Sequence, residues 1–190
     1  MNVITTDIPG AIIIEPKVWG DERGFFLETY RAGPYAEFGI RAPLVQDNLS
    51  YSRRGVLRGL HCQHPGAQGK LVQVYAGEVF DVAVDVRRGS PTFGRWVGVT
   101  LSGENKRQFW VPAGFAHGFL VTSETALFGY KCSDYYRPET EFSVRWDDPA
   151  IGIAWPLESQ AAPELSLKDQ AAPSLSEIPS ERLPAIEDYP

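Results

Sequence analysis

The densest set of groups able to move protons lies between residues 55 and 70. Gly55-Val56-Leu57-Arg58-Gly59-Leu60-His61-Cys62-Gln63-His64 is followed by Gly69-Lys70-Leu71-Val72, and this stretch holds two of the chain's three histidines. An imidazole titrates near neutral pH and is the usual proton-transfer group there. Arg58 and Lys70 sit among apolar, strand-like residues. Cations are costly to bury without an anionic partner, so the cluster suits an anionic ligand or charge that develops during a reaction. By strict alternation His61 and Gln63 share a strand face and Arg58 lies on the other. Arg58 and His61 can serve one pocket only if the strand is irregular at Gly59, and a glycine inside a strand often marks such a bulge. His64 falls opposite His61, which disfavours a two-histidine metal clamp. Gln63 stands where a His-X-His metal site would need its second ligand, and the Lys70 ammonium would repel a divalent ion.

Three further groups bear on the same chemistry. In Val111-Pro112-Ala113-Gly114-Phe115-Ala116-His117-Gly118-Phe119, Pro112 and Gly114 specify a tight turn, and His117 follows it. The imidazole there could point into a cavity or cap the turn. In Phe128-Gly129-Tyr130-Lys131-Cys132-Ser133-Asp134-Tyr135-Tyr136, alternation puts Tyr130 and Tyr136 on one face. A phenol can donate a proton and a ring can stack on a base, but cross-strand packing uses the same residues. Leu167-Lys168-Asp169-Gln170 reads as a cap or solvated face. A carboxylate beside His61 would orient its ring, and Asp169, Asp81 and Asp85 are all candidates for that role.

The elements that must position these groups are short strands. Residues 11–15, 25–30, 56–63, 70–75, 79–86, 94–101, 107–112, 119–123 and 126–133 are apolar or alternating runs separated by Gly-, Pro- and Asn-rich turns. Residues 44–50 look extended, and 34–39 fit one helical turn. No long amphipathic helix precedes residue 160. The expected architecture is all-β, a sandwich or barrel with a few short helices and a C-terminal extension. Residues 1–175 read as a single domain and 176–190 as a Pro-rich tail. The prolines and alanines from Ala161 to Pro190 carry little packing signal.

Composition limits the function. The chain has 190 residues, 43% hydrophobic and 22% charged, enough for one real core. A net charge of −6 argues against general affinity for nucleic acid or anionic membrane, although a few local cations can still hold a small anion. Two cysteines 70 positions apart suggest neither a disulfide framework nor a cysteine zinc site. No stretch resembles a signal peptide or a membrane span, so the expected setting is the reducing cytoplasm.

Taken in order, residues 20–28, 45–50, 55–61, 68–72, 112–119, 130–136 and 166–169 carry motifs that resemble the dTDP-4-dehydrorhamnose 3,5-epimerase family, the deoxysugar branch of the cupins. The resemblance spans roughly residues 1–175. It implies a cupin-like jelly roll, a homodimer with strands exchanged at the N-terminal side, no metal and no cofactor. It further implies a dTDP-4-dehydro-6-deoxyhexose substrate, inverted at C3 and C5 on the way to L-rhamnose. Carried onto this chain, His61 is the base, Asp169 its carboxylate partner, Tyr130 the proton donor from the opposite face, and Lys70 the cation at the enolate oxygen. Arg23, Glu28, Gln46, Asn48, Arg58, His117, Glu141 and Lys168 would hold sugar and pyrophosphate, and Tyr136 would stack on thymine. Cys62 departs from the pattern, because the family usually places an aromatic there. A single-centre epimerase, a metal-dependent cupin and a non-catalytic sugar-nucleotide binder are the competing readings.

Overall fold

A computed structural model describes residues 1–157 and 162–189. Ala161 and Pro190 of the Pro/Ala-rich region lie outside the described residues. In chain order the strands are β1 (Asn2–Thr5), β2 (Ile12–Glu15), β3 (Val18–Asp21), β4 (Gly24–Leu27), β5 (Gln46–Arg53), β6 (Leu57–Gln63), β7 (Lys70–Ala76), β8 (Glu78–Asp85), β9 (Trp96–Ser102), β10 (Gln108–Val111), β11 (Phe115–Val121), β12 (Thr125–Cys132) and β13 (Glu141–Ser143). Helix α1 is Ala32–Glu37 and α2 is Leu167–Gln170.

The strands form a six-stranded sheet ordered β1-β2-β10-β7-β12-β5 and a five-stranded sheet ordered β13-β6-β11-β8-β9; β3 and β4 pair as a separate hairpin. Alternation along the strands explains how the two large sheets pack. Val72, Val74, Phe109, Val111 and Phe128 from the first sheet meet Val79, Ala83, Phe115 and Phe119 from the second in one buried cluster. The Phe119 and Phe128 rings stack across it at 4.1 Å. This is the expected all-β sandwich of the cupin type.

The five-stranded sheet also buries its outer face. Leu60, Cys62, Val82, Val84, Val86, Ala116, Phe142 and Val144 form a second cluster there, closed by Ile151, Leu175, Ile178 and Leu183. The C-terminal tail is therefore packed, contrary to the expectation from its composition. Its apolar residues are spaced by prolines and follow neither helical nor strand period, so pattern reading assigns them no face.

Strand β11 begins at Phe115, earlier than expected, so His117 is a strand residue rather than the residue that leaves a turn. Its register against β6 slips by one: His117 pairs with His61, but Phe119 pairs with Arg58. The slip lies at Gly59, which has φ +128°, and a Cβ there would stand 2.6 Å from the Gly118 Cα. A Cβ on Gly118 would in turn meet the Arg58 carbonyl oxygen at 2.7 Å. The irregularity expected at Gly59 is present, and it brings Arg58 and His61 to the same cavity.

Gly59→Ala should combine a left-handed-backbone penalty with overpacking and destabilise the fold by roughly 2–4 kcal/mol. An unchanged urea midpoint for this variant would mean that the two backbones are not in close contact.

Candidate active site

A cavity of about 460 Å³ opens between the two large sheets. His61 and His117 enter it from the five-stranded sheet, and Lys70 and Tyr130 from the six-stranded one. Arg58 and Ser50 also line it, and residues 164–169 close one side.

His61 Nε2 lies 2.6 Å from Asp169 Oδ1. The Asp169 side chain is 3% exposed and that of His61 is 28% exposed. A carboxylate this deep needs compensation. Burial pushes the Asp169 carboxyl up, but hydrogen bonds from His61, its charge, and the Ser166 and Gly59 contacts outweigh that, and the net shift is down. Ser166 acts as the N-cap of α2, its Oγ accepting from the Asp169 backbone N–H at 3.1 Å. This four-residue helix exists to deliver a carboxylate to a strand 108 positions earlier.

Of the other candidate partners, Asp81 belongs to His117. The His117 Nε2 lies 2.9 and 3.0 Å from the two Asp81 carboxylate oxygens, with both side chains buried. Asp85 instead accepts two hydrogen bonds from the Arg87 guanidinium, one from the Arg87 backbone N–H and one each from Ser90 and Thr92. The cavity thus presents one imidazole that is partly open and one that is locked.

Tyr130 faces the cavity on β12, its ring 5.9 Å from that of Phe128. Burial raises its phenol above the ordinary 10.0, with the Arg58 charge pulling the other way. Lys70 opens β7 in register with Cys132 and Val111, and among the described residues it has no salt-bridge partner. Arg58 donates from Nε to Ser52 Oγ at 3.1 Å.

A small cleft that shares His61 and Lys70 adds Tyr136 and Glu141. Glu141 Oε2 receives the Tyr136 hydroxyl at 2.8 Å and also contacts the Lys168 ammonium. Burial pushes the Glu141 carboxyl up, but these bonds hold it below its ordinary value. Gln46 Oε1 accepts the Tyr136 backbone N–H at 2.8 Å, and Gln46 Nε2 donates to Asn48 Oδ1 at 3.2 Å. Gln63 spends its side-chain amide on the backbone of Gly66, Tyr135 and Arg137. Cys62 points into the outer core, where burial pushes its thiol up to about 12.

Arg23 and Glu28 do not reach this cavity within one chain. Arg23 is 89% exposed and bonded to Asp21, and Glu28 is paired with Arg31. Three contributors escaped the sequence reading. Asp81 enters there only as one alternative partner of His61, Ser50 carries no role, and Ser166 is part of a motif whose capping function becomes evident only beside Asp169. The Ser-x-x-Asp spacing was the available signal for the last.

The sequence profile described as dTDP-4-dehydrorhamnose 3,5-epimerase matches residues 5–177. The Salmonella typhimurium dTDP-4-dehydrorhamnose 3,5-epimerase is 58% identical over 179 residues, covering 93% of this chain and 97% of that protein. The Pseudomonas aeruginosa enzyme of the same name is 58% identical over 171 residues, 90% of this chain and 93% of its own length. The crystal structure of dTDP-6-deoxy-D-glucose-3,5-epimerase from Legionella pneumophila in complex with dTDP-4-keto-L-rhamnose superposes with a TM-score of 0.94 at 60% identity, covering 97% of each chain. A profile match over most of the chain, relatives near 58% identity at nearly full length and a shared fold place this chain in the dTDP-4-dehydrorhamnose 3,5-epimerase family.

Proposed function

We propose that this chain inverts C3 and C5 of dTDP-4-dehydro-6-deoxyglucose, giving dTDP-4-dehydro-L-rhamnose. The observation that carries the reading is a carboxylate-held imidazole on one sheet and a protonated phenol on the other, with a cation between the same two sheets. Both target carbons are α to the C4 ketone, so each C–H is acidic only to the extent that the enolate is stabilised.

With Nε2–H donated to Asp169, the free lone pair of His61 falls on Nδ1, the atom that removes the proton. The C–H electrons pass into the C4 oxygen, and the Lys70 ammonium stabilises the charge there. Tyr130 then protonates the carbon from the opposite face. Each inversion leaves a proton on His61 and removes one from Tyr130, so both must re-equilibrate with water before the second centre reacts. The partial exposure of His61 permits this.

Arg58, Lys168 and His117 hold the sugar and diphosphate, with Gln46, Asn48 and Glu141 orienting the nucleotide side and Tyr136 stacking on the base. Arg23 and Glu28 come from the hairpin of a second copy, which forms a strand-exchanged homodimer. Trp19, Phe25 and Phe26 of that hairpin are 47%, 61% and 69% exposed, an apolar surface suited to burial against another chain. Both cysteines are free, consistent with a reducing cytoplasm. Among the described residues no helix is long and apolar enough to cross a membrane.

Incubation with dTDP-4-dehydro-6-deoxyglucose in D2O containing EDTA should place deuterium at both C3 and C5. Label at one carbon alone would make this a single-centre epimerase, and loss of exchange under EDTA would favour a metal-dependent cupin. His61→Ala should slow exchange at both carbons by about 10²–10⁴-fold, whereas Tyr130→Phe should suppress inversion more than exchange. Normal exchange in His61→Ala would remove it as the base.

Asp169 also predicts a pH dependence of stability. A carboxyl depressed on folding contributes stability above its unfolded value, and the contribution is lost as pH falls through the lower folded value. The thermal midpoints of wild type and Asp169→Asn should therefore converge between about pH 5 and pH 2. A gap that holds constant with pH would count against the ionised pair. Sedimentation should report the mass of two chains; a monomer would leave Arg23 and Glu28 without a role.

A further inference from the structure

Lys70 follows directly from the loop 64–69, and four of the hydrogen bonds that hold that loop bear on its position. The Gly69 backbone N–H donates to Ser133 Oγ at 2.7 Å, Gln68 Nε2 to the Asp134 carbonyl at 2.7 Å, and Gln63 Nε2 to the Gly66 carbonyl at 2.5 Å. These three come from segments that already border the site. The fourth comes from the far end of the chain: the buried Ala67 donates its backbone N–H to the Tyr189 hydroxyl at 3.1 Å.

Tyr189 is itself well anchored. Its carbonyl accepts from Arg87 Nη1 at 2.8 Å. Arg87 is 5% exposed, is doubly bonded to the buried Asp85 and lies 4.6 Å from the Phe115 ring centre. The Tyr189 ring meets His64 edge-on at 5.9 Å. Upstream, Arg88 N–H donates to the Pro184 carbonyl at 2.7 Å, and Ile186 N–H donates to the Arg88 carbonyl at 3.0 Å. Ile178 and Leu183 are buried in the outer core.

The same segment touches the site at a second point. Arg182 Nη2 donates to the Glu141 carbonyl at 3.0 Å, and its guanidinium lies 5.9 Å from the Phe142 ring centre. Glu141 is the carboxylate that gathers Lys168 and Tyr136. Residues 178–189 therefore reach β13, the neighbour of the strand that carries His61, at one end and the loop that leaves that strand at the other. They lie beyond residue 177, where the family profile stops.

We propose that residues 178–189 form a strap that sets the catalytic geometry, and that Tyr189 is a positioning residue for Lys70, acting through Ala67 and the loop 64–69. The proposal rests on the reading of Lys70 as the enolate-stabilising cation. A displaced loop would shift the ammonium relative to the C4 oxygen and weaken transition-state stabilisation, while the nucleotide contacts on Arg58 and Tyr136 stay in place.

The test is Tyr189→Phe in the 190-residue chain, which keeps the ring and the backbone contact to Arg87 but removes the hydrogen bond to Ala67 and the longer 3.5 Å contact to His64 Nδ1 in the same loop. The kcat for exchange at C3 and C5 should fall about fivefold, the scale of one hydrogen bond, with KM and dTDP affinity unchanged within twofold. An unchanged kcat would overturn the proposal. A fall in dTDP affinity and in thermal midpoint along with kcat would also overturn it, because the contact would then be merely structural. Lys70→Ala in the wild-type background separates the two readings. If that variant exchanges normally, the assignment of Lys70 fails; if it is inactive while Tyr189→Phe equals wild type, only the strap fails.

Discussion

The site depends on the contact between Gly59 and Gly118. No side chain fits between these two backbones, so β6 and β11 approach closely and slip by one register position. That slip turns Arg58 and His61, three positions apart, toward one cavity, which a regular strand would forbid. The Gly59 backbone also hydrogen-bonds Asp169. One residue without a side chain therefore brings the Arg58 guanidinium and the His61 imidazole to one cavity and helps hold Asp169 beside that imidazole.

The two sheets divide the remaining work. The five-stranded sheet holds two histidines in register, each bonded to an aspartate of different origin. Asp81 lies on the neighbouring strand and keeps His117 locked, whereas Asp169 arrives on a capped turn and leaves His61 partly open. The six-stranded sheet contributes the phenol and the lysine. Such a sheet can carry charged groups inward because its apolar positions already meet the facing sheet in a continuous core. The cavity is locally basic in an acidic protein, since Arg58, Lys70 and Lys168 concentrate positive charge where the net charge of −6 does not.

The fold was legible where local pattern and tertiary role coincide. The alternating run from Val79 to Val86 became β8, and Gly59 inside an apolar strand announced the bulge. Legibility failed where the determinant is long-range. Nothing near Asp169 says that it meets a residue 108 positions earlier; on residue pattern alone Asp81, Asp85 and Asp169 are equal candidates, and only the resemblance to the family singles out Asp169. The three residues of β13 are too few to carry a period. Proline spacing hid the packing of Ile178 and Leu183. The start of β11 was misplaced because Pro112 and Gly114 mark a turn strongly, while Phe115 and Ala116 already pair with β8.

The stereochemistry of the sugar explains why one base can serve two carbons. In the chair of a 4-keto-6-deoxyglucose, the hydrogens on C3 and C5 are both axial and lie on the same face of the ring. Each is aligned with the π system of the C4 carbonyl between them. A single imidazole beneath that face reaches either hydrogen with a small shift of the ring, and both reactions deliver charge to the same oxygen. One cation therefore suffices, and one phenol on the opposite sheet can protonate both positions. The arrangement of His61 and Tyr130 on facing sheets, with Lys70 in the same cavity, matches that economy without requiring a second set of catalytic groups.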